Sequence, residues 1–239
     1  DIHGGGNENI FPHNENEVAQ SEAYLGKKMA NFWTLWNMVL TDGEKMSKSK
    51  GNQANLKDAL KKYGPAAIRL WIASSHYRSI MNYSEESLAQ AKTNLQKIND
   101  FVLNLEALAT SENPDSNFDV KLYQERFEAA MDDDFNTPLA LSVIFELITE
   151  TNKLMTQSAL GPNDAKKILS LWKKINSVFG FILQGQAQIP QKILELAKER
   201  KAARENKDFS KSDQLRDKIA EMGYIIEDIK DNNYSIKEK

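Results

Sequence analysis

The chain has 239 residues, 41% apolar and 27% charged, with a net charge of −3 and no cysteine. That is enough apolar mass for a sizeable core in one or two globular units. Disulfides are excluded, which fits a reducing compartment such as the cytoplasm. No apolar run approaches the roughly eighteen residues of a membrane-spanning helix, and no signal peptide is visible at the start.

Residues 1–26 hold five acids and neither Lys nor Arg. They open with Asp1-Ile2-His3-Gly4-Gly5-Gly6, a glycine loop in which backbone can approach a ligand with no Cβ in the way; an ordinary loop looks the same. A helix is predicted over about 14–25, starting near Pro12, with His13 and Glu17 four positions apart on one face. An imidazole and a carboxylate so spaced can offer two ligands to a divalent metal such as zinc, or simply meet at the surface. A buried strand is predicted near 36–41, ending at the turn signal Asp42-Gly43.

Next comes Lys45-Met46-Ser47-Lys48-Ser49, followed by Lys50-Gly51-Asn52. Residues 27–62 carry eight lysines against three acids. A Ser-spaced lysine loop suits a task that needs mobile positive charge, closing on a polyphosphate as charge builds on the leaving oxygens. A solvated basic loop is the plain alternative.

From Asn55 onward the pattern is helical. Ser84 caps a helix whose first turn holds Glu85 and Glu86. Leu88, Ala91, Leu95, Ile98, Val102 and Leu105 form its apolar stripe. Residues 113–116 read as a linker. Helices are predicted over about 119–131, 137–158 and 163–180, with Thr137-Pro138 as N-cap and first-turn proline and Gly161-Pro162 as a break. These read as a bundle. A polar spacer at 184–188 precedes helices over about 190–206 and 210–222, where Ser210 with Asp213 resembles a capping box and Gly223 suits a helix end. Tyr224 to Asp228 alternates as a short strand, with Tyr234-Ser235-Ile236 its partner across an Asp-Asn-Asn turn. Residues 192–218 carry nine basic side chains against six acids, a basic patch for phosphates or an ordinary solvated helix face.

Taken together, DIHGGG, the segment Phe11-Pro12-His13-Asn14-Glu15-Asn16-Glu17 and KMSKSKGN resemble the cysteinyl-tRNA synthetases, members of the class I aminoacyl-tRNA synthetases. Ser75-His76-Tyr77-Arg78-Ser79, Asn82-Tyr83-Ser84 and the run from Ala130 to Pro138 (AMDDDFNTP) match the same family. The likeness runs to about residue 230.

The resemblance implies a mainly α chain. Residues 1–54 would be the C-terminal part of a Rossmann-like α/β catalytic domain, with the zinc-ligand segment and the KMSKS loop. Residues 55–112 would be a helical stem-contact region, 113–184 a DALR-type helical bundle, and 185–239 a small mixed α/β anticodon-binding domain. The implied activity is ATP-dependent ligation of L-cysteine to tRNA(Cys) through a cysteinyl-adenylate, by a cytoplasmic monomer with no membrane partner.

Lys45 and Lys48 would act on the phosphates of ATP, which comes with Mg2+. His3, Gly4, Gly5, Gly6 and Glu8 would line the adenylate site, with Glu8 where the family usually has Asp. His13 and Glu17 would be two of four ligands to Zn2+, which binds the substrate thiolate. The other two ligands, both cysteines, and the HIGH motif would lie upstream, so the chain would be inactive alone. Asn14 replaces a second histidine beside the ligand.

Arg204, Asp213, Arg216 and Asp228 match anticodon-recognition positions, and Tyr234 would take over from a missing terminal Trp as a stacking ring. Asp213 reads equally well as a helix cap. Other readings are a non-catalytic tRNA-binding fragment, against which the intact KMSKS argues, and a cysteine:amino-sugar ligase of mycothiol synthesis, against which residues 190–230 argue.

Overall fold

A run of glycines is a poor strand former, yet Ile2–Gly6 is a strand, β1, in the computed structural model, which describes residues 1–47, 49, 51, 55–111, 118–181, 191–206, 208–229 and 233–238. The expected glycine loop is thus corrected. β1 pairs in parallel with β2 (Phe32–Trp36), in register from Ile2 opposite Phe32 to Gly6 opposite Trp36. A Cβ on Gly4 would sit 2.6 Å from Cη2 of Trp36, so the indole occupies space that only glycine leaves. Helix α1 (Glu15–Leu25) joins the two strands and stops at Gly26, whose φ of +65° lets its N–H donate to the Glu22 carbonyl at 2.8 Å.

The single strand expected near 36–41 is two. β2 ends at Trp36, and β3 (Val39–Thr41) belongs to another sheet, parallel to β5 (Met81–Tyr83) and antiparallel to β4 (Glu44–Lys45). Between them, the Asn37 N–H donates to the Tyr77 carbonyl at 3.1 Å and the Met38 carbonyl accepts from Met81 at 3.2 Å. A run interrupted only by Asn37 between Trp36 and Leu40 does not by itself reveal a change of partner. The predicted turn closes the β3–β4 hairpin, with positive φ at both Asp42 and Gly43, which suits the strand twist.

Helices α2 (Leu56–Tyr63), α3 (Pro65–Ala73) and α4 (Glu85–Leu108) follow. Ser84 and Ser87 cap α4 reciprocally at 3.1 and 3.2 Å, and the predicted stripe buries Leu88, Ala91, Ile98 and Leu105. With α5 (Val120–Asp132), α6 (Thr137–Thr156) and α7 (Pro162–Phe179), α4 encloses a core containing Phe101, Ile144, Leu147, Ile168 and Trp172. The cap of α6 is Asn136 rather than Thr137, its side chain accepting from the Leu139 N–H at 3.3 Å. The Asn136 side chain thus satisfies a free N–H of the first turn, and Thr137 becomes the first helical residue.

The chain divides into two compact units, residues 1–182 and 183–239. The second holds α8 (Gln191–Glu205), α9 (Phe209–Glu221) and the antiparallel pair β6 (Tyr224–Ile229) and β7 (Asn233–Glu238), around Ile193, Ala197, Ile219 and Ile226. Asp208 caps α9, accepting from Lys211 N–H at 3.1 Å, so the Ser210–Asp213 capping box is not formed. The helix begins two residues early and carries both inside its first turns. Lys48, Lys50 and Asn52, the linker at 113–116, the spacer at 184–188 and the turn residues 231–232 lie outside the described residues. No helix among the described residues is long and apolar enough to cross a membrane. The chain is mainly α; among the described residues its strands fall within 2–83 and 224–238.

Candidate active site

Parallel strands present their carboxyl ends on one edge, where ligands of open α/β sheets bind. Here β1 ends at Gly6 and β2 at Trp36, and a cleft of about 370 Å3 opens beside both ends, lined by Gly6, Asn7, Glu8, Asn9, Trp36, Asn37 and Met38. Glu8 stands in the single turn that follows β1. Its Oε2 lies 3.5 Å from Nζ of Lys45, the first lysine of KMSKS, at the end of the β3–β4 hairpin. Both side chains are more than half exposed, so the pair is weak and open to exchange with a ligand. Two predicted residues 37 positions apart thus meet at one cleft. Trp36, Asn37 and Asn9 were not singled out by motif, and only the strand pairing brings them there.

His3 and Glu17 form a second polar contact in this region. His3 Nε2 is 3.1 Å from Glu17 Oε2, and its ring leans on Trp33, directly opposite on β2, at 4.4 Å. Glu17 therefore turns to His3 rather than to His13, which is exposed one turn earlier. Asn14 is buried against Gly5, where a Cβ would come within 3.1 Å of Nδ2, and that nitrogen has no hydrogen-bond partner among the described residues.

Imidazole nitrogen and carboxylate oxygen suit zinc in kind. The described residues nevertheless contain no group of three or more His, Cys, Asp or Glu side chains able to hold a metal. A zinc site takes at least three protein ligands, so this donor set is incomplete.

Met46, next to Lys45, lines an apolar pocket of about 230 Å3 with Leu56, Ile68, Trp71, Tyr83 and Leu88. On α2, Lys62 and Tyr63 both bond Glu85, which the Lys62 ammonium holds below the usual carboxylate range. This ties the helix after KMSKS to the start of α4.

In the second unit, Asp213 and Arg216 lie one turn apart on α9, Oδ1 to Nη2 at 3.6 Å and both exposed. Arg204 is half-buried at the end of α8. Asp228 on β6 pairs across the ladder with Tyr234 on β7; the Asp228 side chain lies outside what is described. The Tyr234 ring is packed partly against the Ile193 core, which leaves less of it for stacking than a free terminal ring would have.

Three family models match in order along the chain. One described as "tRNA synthetases class I (C) catalytic domain" covers residues 1–93, "DALR domain" covers 126–184, and "Cysteinyl-tRNA ligase anticodon binding domain" covers 187–234. Among curated proteins, the cysteine--tRNA ligase of Ectopseudomonas mendocina is 41% identical over 241 residues, and that of Bacillus velezensis 40% over 234. Each alignment takes in 95% of this chain and 50% of the relative. The chain belongs to the cysteinyl-tRNA synthetase family.

It spans about half the length of the curated cysteinyl-tRNA synthetases it matches, and corresponds to their C-terminal region. The fold likeness extends to another class I synthetase. LeuRS of Agrobacterium radiobacter K84, solved in a ternary complex with tRNA and LeuAMS, superposes with a TM-score of 0.60 at 16% identity, over 76% of this chain and 26% of that one.

Proposed function

We propose that this chain forms the C-terminal half of an ATP-dependent cysteine–tRNA ligase, the N-terminal half carrying HIGH and two zinc-binding cysteines. The observation that supports it most is the approach of Lys45 to Glu8 at the cleft beside the carboxyl ends of β1 and β2. The cysteine carboxylate attacks the α-phosphorus of ATP and pyrophosphate leaves; the terminal ribose hydroxyl of tRNA(Cys) then attacks the acyl carbon and AMP leaves.

In this reading His3 and Gly4 to Gly6 line the adenylate, Glu8 accepts from ribose hydroxyls once Lys45 releases it, and Lys45 and Lys48 neutralise the phosphates that arrive with Mg2+. The division at 54, 112 and 184 follows, and the enzyme is a cytoplasmic monomer. Arg204, Asp213, Arg216, Asp228 and Tyr234 read the anticodon, Arg forks and acceptor carboxylates being suited to splayed base edges.

His13 and Glu17 would hold zinc in the complete enzyme. Zinc there supplies a soft contact for the substrate thiolate, which serine cannot match. The 239-residue chain, supplying two ligands, retains far less than one zinc after mild chelation, whereas the complete enzyme keeps about one. Stoichiometric zinc in the chain alone would refute the shared site.

The chain alone binds tRNA with a GCA anticodon weakly and with steep salt dependence, and catalyses no cysteine-dependent ATP–pyrophosphate exchange. Arg216→Ala, which breaks only an exposed pair, reduces preference for that anticodon by about 1–3 kcal/mol. Filter binding against an anticodon-swapped tRNA measures this. Equal affinity for the two tRNAs, or exchange by the chain alone, overturns the reading.

A further inference from the structure

Two motifs far apart in sequence, the segment at 75–79 and the one at 130–138, close on each other in the fold. Asp134 accepts from the Tyr77 hydroxyl at 2.6 Å through Oδ1 and from Arg78 Nε at 2.6 Å through Oδ2, with Arg78 Nη2 3.3 Å from Oδ1. His76 Nε2 lies 4.0 Å from Oδ2, its ring stacks on Tyr77 at 4.9 Å, and the Arg78 guanidinium lies over the Tyr77 ring. One carboxylate thus gathers three side chains of one loop.

The turn that presents it is strained. Asp134 and Phe135 take φ of +53° and +54°, the left-handed region, and neither is glycine. For a bulky Phe this conformation is a true outlier, kept only where surrounding contacts demand it. The turn is held by Phe135 N–H donating to the Met131 carbonyl at 3.1 Å, by Asn136 N–H donating to the Ala130 carbonyl at 3.1 Å, and by the Asn136 cap of α6. It belongs to the helical bundle.

The backbone of the loop is bonded to the cleft wall. Tyr77 and Arg78 give their carbonyls to Asn37, one accepting from its backbone N–H at 3.1 Å and the other from its side-chain amide. Asn37 and Met38 are cleft wall. A continuous set of hydrogen bonds therefore runs from the α5–α6 turn through the loop to the cleft.

We propose that Asp134 is a positioning residue, through which the helical bundle sets the Asn37–Met38 wall of the nucleotide cleft; this rests on the reading of that cleft as the adenylate site. Exposed ion pairs contribute little to global stability, and Asp134 and Arg78 are both far from buried. The arrangement is worth its strain through geometry rather than through folding energy. Arg78, foremost, and Tyr77 hold the Asp134 carboxyl below the usual carboxylate range, so it stays ionised at neutral pH.

The test has two arms. In the 239-residue chain, Asp134→Ala speeds amide exchange at 36–38 and 75–80 at least about tenfold, while peptides of the α6–α7 core keep their protection. In the complete enzyme, the same variant raises KM for ATP in pyrophosphate exchange about tenfold with kcat within about threefold, and Tyr77→Phe has a smaller effect of the same kind. Unchanged exchange at 36–38 overturns the positioning role. Faster exchange with unchanged KM overturns its functional part, as does a general loss of core protection. A wild-type complete enzyme without cysteine-dependent exchange defeats the adenylate reading instead, and the first arm still decides whether Asp134 positions the wall.

Discussion

Lys48→Ala in the complete enzyme lowers the rate of adenylate formation at least about tenfold, with little change in the dissociation constant for cysteine. In the proposed reading the ammonium acts where charge develops, on the departing pyrophosphate, and losing one such contact costs about 2–4 kcal/mol of transition-state stabilisation. Lys48 lies outside the described residues, but the root of its loop does not. Lys45 reaches Glu8 at the cleft, and Met46 lines the apolar pocket between β3, α2, α3 and α4. The loop thus starts from an anchored position beside the cleft. Lys45→Ala, whose charge is shared with Glu8, has the smaller effect. Single-turnover kinetics give the answer directly, and normal chemistry with weakened cysteine binding would overturn the assignment.

Phe101→Ala destabilises the first unit by about 3–5 kcal/mol, the usual cost of removing a buried aromatic. Phe101 is 1% exposed, inside the core shared by α4, α6 and α7. Leu103, two positions on and 56% exposed, is the control: its replacement by Ala changes stability by no more than about 0.5 kcal/mol. Residues 183–239 have their own core around Ile193, Ala197, Ile219 and Ile226, so hydrogen exchange there stays at its wild-type denaturant dependence while that of α4 to α7 shifts. Equal losses for Phe101→Ala and Leu103→Ala would show that α4 is not packed as described.

Helical periodicity made most of this fold legible. The stripe from Leu88 to Leu105 points to one buried face, and the structure buries it. Gly223 and the Asp42-Gly43 turn take the positive φ their residues suggest. Helix ends were less legible, because several polar residues near each start could serve as cap. Asn136 and Asp208 do so, displacing Thr137 and the Ser210–Asp213 pair.

Family membership, the helical bundle and the candidate lysines, glycines and acids were readable in the sequence, since each is a local pattern of residue types. What only the tertiary structure decided is which of them meet. Glu17 turns to His3 across the β1–α1 unit rather than to its helical neighbour, and the glycines serve a strand packed under Trp36. Lys45 finds Glu8, and Tyr77 finds Asp134 across 57 positions. Periodicity reports which side of an element is buried and says nothing of what lies opposite. That is set by strand register and by the turns that fold one element back upon another.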